Sequence, residues 1–170
     1  MGAVLRSSPR ASSEAKNVQD AAARVRDDRR VQKVVPMLSY EDPAAAIDFL
    51  SRAFGFREQA RLQDEDGHIG HAEMTLGDAL IMLANPHPGY VSPRRLREES
   101  DAARRSYDVP WVIDGVLVYV DDVDAHFAQA RDAGATILSE PMDVPPAGIR
   151  HYRAEDPEGH RWMIASPLTS

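Results

Sequence analysis

His71 and Glu73, in the stretch "HIGHAE" that begins at His68, are the pair whose types and spacing best suit chemistry. In an extended strand, residues two apart point the same way, so an imidazole stands beside a carboxylate while Ala72, Met74 and Leu76 point to the other face. Such a pair can act as a general base toward a carbon or oxygen acid. It can equally hydrogen-bond a ligand or lie on a solvated face. A second stretch, "IRHYR" from Ile149, places Arg150 and Tyr152 on one face and Ile149, His151 and Arg153 on the other. Tyr152 offers a stacking surface and a hydroxyl, which suits binding; Tyr152 or His151 lines a cavity according to which face is inward. In "GHRWMIA", from Gly159, Met163 and Trp162 must point oppositely, with the indole expected beneath a helix.

Other chemistries are poorly supported. There is no cysteine, which excludes disulfides, thiolate nucleophiles and sulfur-ligated metals. "GDALIML" lacks the glycines and the Lys-Ser/Thr pair of a phosphate loop, and no Gly-x-Ser-x-Gly frame is present. His68, His87 and His160 lie near turns, and His126 lies on a helix beside Phe127, so solvent contact is expected for all four. Trp111 is placed to rim a pocket or to anchor a linker.

Charge limits the partners. The 170 residues carry a formal charge of -7, and residues 1–33 hold eight basic and four acidic side chains, leaving -11 for the remainder. So acidic a body is a poor match for nucleic-acid phosphates. No apolar run is long enough to cross a bilayer, and the start lacks the apolar stretch of a signal peptide, so a cytoplasmic protein with no membrane partner is expected.

The elements that must hold these residues repeat. "SYEDPAAAIDFLSRAFG" from Ser39 and "YVDDVDAHFAQARDAGA" from Tyr119 each join an apolar run (Val34 to Tyr40, Val116 to Val120) to a helical pattern. Asp42 and Asp122 are the expected N-caps, with Pro43 at the first helical position. Ile47, Leu50 and Phe54 share one face of the first helix, as do Val123, Phe127 and Ala130 on the second, and Gly55 and Gly134 end them. "LIMLA" and "RWMIA" then align Met82 with Met163; the caps repeat at an offset of 80 and these strands at 81. An Asp-Gly turn at residues 66–67 signals a hairpin in the first copy.

The reading is an α+β chain: a polar N-terminal extension over 1–30, then a domain over 31–166 of two βαβββ modules. Module one covers 31–85, a charged linker with a helix across Arg94 to Arg105 covers 86–113, and module two covers 114–166.

The motifs "Y-x-D-P-x-x-A-I-x-F", "A-F-G-F", "H-A-E-M-x-L-G-D" followed by "I-M-L", "V-Y-V-D-D-V-D-A-H-F", "A-R-D-A-G-A" and "D-P-E-G-H-R-W", in this order and doubled, resemble the vicinal oxygen chelate superfamily of glyoxalases, bleomycin-resistance proteins and dioxygenases. The wording lies nearest its PhnB-like or glyoxalase-like branch. The resemblance implies paired βαβββ modules forming a cupped mixed sheet with flanking helices, commonly in homodimers. It also implies four metal-ligand positions, at Val35 and Gly115 in the first strands and at Met82 and Met163 in the last. None of the four is a histidine or carboxylate, and a thioether is a weak ligand for hard or borderline cations.

No metal and no cofactor is therefore expected. The favoured function is metal-independent binding of an apolar or mixed small molecule by Val35, Met82, Trp111, Tyr152 and Met163. One alternative is a glyoxalase-like lyase, isomerase or epimerase using His71 and Glu73; another is a non-catalytic interaction scaffold.

Overall fold

The computed structural model describes residues 34–85, 89–108 and 115–168. All its elements lie in the compact unit Pro36–Ser170. The N-terminal extension, His87 and Trp111 lie outside the described residues.

Module one comprises strand β1 (Met37–Ser39), helix α1 (Pro43–Phe54) and strands β2 (Arg57–Gln63), β3 (Ile69–Leu76) and β4 (Ala79–Ala84). Helices α2 (Pro93–Glu99) and α3 (Asp101–Tyr107) form the linker. Module two repeats the pattern with β5 (Gly115–Tyr119), α4 (Val123–Asp132), β6 (Thr136–Val144), β7 (Ile149–Glu155) and β8 (Arg161–Pro167). The sheet orders are β1-β4-β3-β2 and β5-β8-β7-β6. In each, the first strand pairs parallel with the last and the other pairings are antiparallel. This is the paired βαβββ arrangement expected from the repeat.

The helix signals act as read. The Asp42 carboxylate accepts the Ala45 N–H at 2.9 Å, and Asp122 accepts that of Ala125 at 3.0 Å. Both satisfy a donor that the first helical turn leaves without an intrahelical partner. Gly55 ends α1 at φ 75°, a left-handed conformation that a Cβ would strain. Ile47, Leu50 and Phe54 are buried, as are Val123 and Ala130, while Phe127 is half-buried with its ring edge-on to Tyr152.

Four local expectations are corrected. The first strand is shorter than Val34 to Tyr40, beginning at Met37. Pro36 has no N–H to give, although its carbonyl accepts Met82 N–H at 2.9 Å. The linker forms two helices where one was expected, because Ser100 is extended (φ -139°, ψ 119°) and caps α3 by accepting the Ala103 N–H. His126 is half-buried, its Nδ1 2.8 Å from the Tyr152 hydroxyl. Burial lowers the pKa of His126 and raises that of Tyr152. His160 is turned inward: its Nε2 lies 2.8 Å from the Ser39 carbonyl and its ring tilts over Tyr40 at 4.6 Å.

The core is continuous across the modules. Helices α1 and α4 pack together, and Trp162, 1% exposed, meets Phe54 at 5.1 Å and Phe56 at 5.7 Å. Beside it the carboxylate of Asp156, equally buried, accepts the Tyr40 hydroxyl at 2.7 Å and the Trp162 indole N–H at 3.2 Å through Oδ2. Its Oδ1 accepts the backbone N–H groups of Glu158 and His160 at 3.1 and 3.0 Å. Glu158 reaches back to accept the N–H groups of Glu41 and Asp42, both at 2.8 Å. The loop "DPEGH" is thus a polar joint between the modules. Among the described residues no helix is long and apolar enough to cross a membrane.

Candidate ligand-binding site

Strand alternation gives each sheet a face covered by its helix and an open face. In β8, Trp162 and Ile164 are buried on the helix side while Met163 takes the open one, as expected for Trp162 and Met163. Parallel pairing sets Met163 against Leu117 of β5, which is 48% exposed. Leu138 of β6, Ser139, Arg153 of β7 and Arg161 of β8 complete most of the lining of a cavity of about 420 Å³, with Gly115, Val116 and Trp162 contributing and Asp108 from the end of α3. Leucine and methionine side chains with a few polar groups are the usual lining of a small-molecule pocket.

One end of this open face is electrostatically built. Glu155, 3% exposed, receives two bonds from the Arg97 guanidinium, at 2.7 and 2.8 Å, and a third from Arg161 Nε at 3.3 Å. Burial works to raise the Glu155 pKa, but the arginine hydrogen bonds and charges outweigh it and hold the carboxyl below its ordinary value. Arg97 and Arg161 also lie over the Tyr107 ring, at 4.5 and 5.1 Å from its centroid, and Arg161 donates to the Tyr107 carbonyl. The linker helices are thereby clasped to β7 and β8. His151 is buried on the same alternating set of β7 as Arg153 and Glu155, and its pKa is lowered first by burial and then by the Arg153 charge.

His71 and Glu73 are brought together on the open face of the other sheet. His71 Nε2 lies 3.5 Å from Glu73 Oε1, with side-chain exposures of 29% and 7%. Met82 pairs with Glu73 across β3–β4 and with the exposed Met37 across β1–β4, opposite in direction to the buried Ile81 and Leu83. None of these module-one residues lines the Met163 cavity. Val35 precedes β1, and Trp111 is outside the described residues. Tyr152 takes the helix side, fully buried against His126 and Phe127, and His151 takes the opposite side, where it is also buried and does not line the cavity.

Sequence reasoning did not select Leu117, Leu138, Arg153 or Arg161 as site residues. Leu117 was accessible from the repeat, because it alternates with Val116 and Val118 in the strand that pairs with Met163. The clasp through Arg97 and Tyr107 joins residues 58 and 54 positions apart and had no local signal. Asp64, Asp66 and His68 cluster on the exposed β2–β3 turn, with His68 in solvent as expected.

The family model for the Glyoxalase/Bleomycin resistance protein/Dioxygenase superfamily matches residues 34–164. The chain belongs to this superfamily. It is 33% identical to TioX from Micromonospora sp. ML1, whose crystal structure superimposes with a TM-score of 0.58, covering 81% of this chain and 99% of that one. Uncharacterized protein Rv0887c of Mycobacterium tuberculosis is 32% identical over 133 residues, 78% of this chain and 73% of that protein. TnmS3, described as an antibiotic binding protein from Streptomyces sp. CB03234, shares the fold at 21% identity and a TM-score of 0.54, covering 82% of this chain and 99% of its own.

Proposed function

We propose that this superfamily member is a metal-independent small-molecule binding protein that holds an apolar or mixed ligand against the open face of its second sheet. The observation that carries the reading is the cavity of about 420 Å³ floored by Met163, Leu117 and Leu138, large enough for a small organic molecule. Methionine suits such a floor because its unbranched thioether adapts to varied shapes. That an antibiotic binding protein shares the fold is compatible with this use of it.

Metal independence rests on donor chemistry. The positions that the resemblance implies for the ligands of metal-using relatives, Val35, Met82, Gly115 and Met163, offer no imidazole or carboxylate. The test is elemental analysis after dialysis against a chelator and again after zinc or nickel loading, combined with a calorimetric screen of hydrophobic antibiotics and metabolites. Less than one metal per chain, with ligand binding retained after chelation, is expected; a stoichiometric metal required for binding would overturn the reading.

A second reading is acid–base catalysis at His71 and Glu73, favoured by their contact and by the burial of the carboxylate. It would operate on the other open face, with Met82 beside it.

The partner proposed for the chain is a second copy of itself. Edge strands β1 and β5 expose Met37 and Tyr119 at 69% and 60%. Exposed apolar edges are ordinarily paired or covered. Sedimentation equilibrium at micromolar concentration is expected to show a dimer; a monomer throughout would contradict it.

A further inference from the structure

We propose that the ligand of the Met163 cavity is an amphipathic anion, an apolar body carrying a carboxylate, sulfonate or comparable acidic group, held with its charge toward Arg161 and Arg153. This deepens the binding function proposed above and rests on it. The argument is one of unbalanced buried charge. Two arginines converge on a single carboxylate, Glu155, and the pairing is unequal. Arg97 engages both oxygens at 2.7 and 2.8 Å, whereas Arg161 reaches one of them at 3.3 Å. The Arg161 side chain is only 13% exposed, and its Nη1 is buried without a hydrogen-bond partner among the described residues. Its remaining contacts, the Tyr107 carbonyl and ring, carry no net charge, so a guanidinium that shares its one counter-ion and keeps an unused donor is under-compensated where little water screens it.

A second arginine stands at the same wall. Arg153 also lines the cavity, two residues before Glu155 on the same face of β7, and its charge helps to lower the pKa of the neighbouring His151. The opposing group in the lining is Asp108, which is exposed at the end of α3, where solvent and salt screen it more effectively. Leu117, Leu138 and Met163 meanwhile make the rest of the wall apolar. An acidic group at one end of an apolar body matches both halves of this lining. The acid would balance the charge that Glu155 leaves over, and a guanidinium is the side chain best shaped to receive a planar oxyanion. A cationic ligand would add to the imbalance.

The test uses two fluorescent probes with the same apolar body, anilinonaphthalene sulfonate and uncharged phenylnaphthylamine, titrated into the full chain. The sulfonate is expected to bind on the order of tenfold more tightly, as a charge-assisted bond in a partly dry site implies. Arg153→Gln and Arg161→Gln should each remove most of that preference while leaving phenylnaphthylamine affinity within about twofold. Arg153→Gln leaves the Arg97–Glu155 clasp untouched, so it remains informative if Arg161→Gln impairs folding. Met163→Glu should weaken both probes. Equal affinity for the two probes, with both still sensitive to Met163→Glu, would overturn the anion proposal and leave the binding function standing. A sulfonate preference indifferent to Met163→Glu would place the anion elsewhere and overturn it as well. Failure of both probes to bind would count against both proposals.

Discussion

Replacing Asp156 tests whether the two modules are joined through a buried polar network. Its carboxylate accepts four bonds at 2.7 to 3.2 Å from Tyr40, Trp162 and the backbone of Glu158 and His160. Tyr40 and Trp162 are 0% and 1% exposed, so their donors have no ready access to water once the acceptor is gone. Each hydrogen bond to a charged group contributes about 1.5–3 kcal/mol net, but the four are not additive, and removing a buried carboxylate also relieves its desolvation. Asp156→Ala is therefore expected to destabilise the protein by about 3–5 kcal/mol. Asp156→Asn keeps an oxygen for the two backbone donors but turns an amide N–H toward the Trp162 N–H, and should fall between Asp156→Ala and wild type. Tyr40→Phe deletes one bond and should cost about 1–2 kcal/mol. Urea unfolding supplies the values, and a double-mutant cycle between Tyr40→Phe and Asp156→Asn should show a coupling of about 1 kcal/mol. The reasoning would be refuted if Asp156→Ala lay within about 0.5 kcal/mol of wild type, the range of an ordinary surface substitution.

Three further outcomes follow from the same geometry. The pKa values of His126 and His151 are both lowered, chiefly by burial, so the unfolded chain takes up their protons first. The stabilising contribution is present above pH about 6.5 and is lost as pH falls below it; urea midpoints that hold steady or rise from pH about 7 to about 5 would contradict this, and His126→Gln should flatten the profile. Gly159→Ala should destabilise by more than about 1 kcal/mol, measured by urea unfolding, because the residue has φ 87° and a Cβ would lie 2.9 Å from the Arg94 nitrogen. His71→Ala should leave ligand affinity unchanged in calorimetry, because His71 lies off the Met163 cavity; a turnover that falls by about 10² to 10⁴ with affinity intact would establish the acid–base reading in its place.

The parts of the fold that were legible in the sequence are those encoded locally. Asp42 and Asp122 mark helix starts because a cap needs only its own next three residues, and Met82 and Met163 share a place because each follows a glycine turn at nearly the same offset. The alternation that separates Trp162 from Met163 was equally readable. What could not be read depends on distant neighbours. Asp156 and Tyr40 are separated by 116 positions, so nothing near either residue marks their contact. His126 and His160 look like solvent-facing helix and turn residues until the other module closes over them. The pattern "IRHYR" fixes two faces but not which of them meets α4, and that decision sets Tyr152 on the helix side and leaves Arg153 to line the cavity. Ser100 has the composition of a helix N-cap in the middle of a charged run, which explains both the expected single helix and the two that form.

The most direct test of the binding account is methyl NMR of the methionines during titration with a ligand from the calorimetric screen, on protein dialysed against a chelator. Met163 borders the cavity, Met74 is fully buried under α1, and Met82 lies on the other sheet. The account predicts that the Met163 methyl shifts and saturates with the ligand while those of Met74 and Met82 hold their positions. Saturable shifts at Met82 with Met163 unmoved would contradict it and place the ligand beside His71 and Glu73.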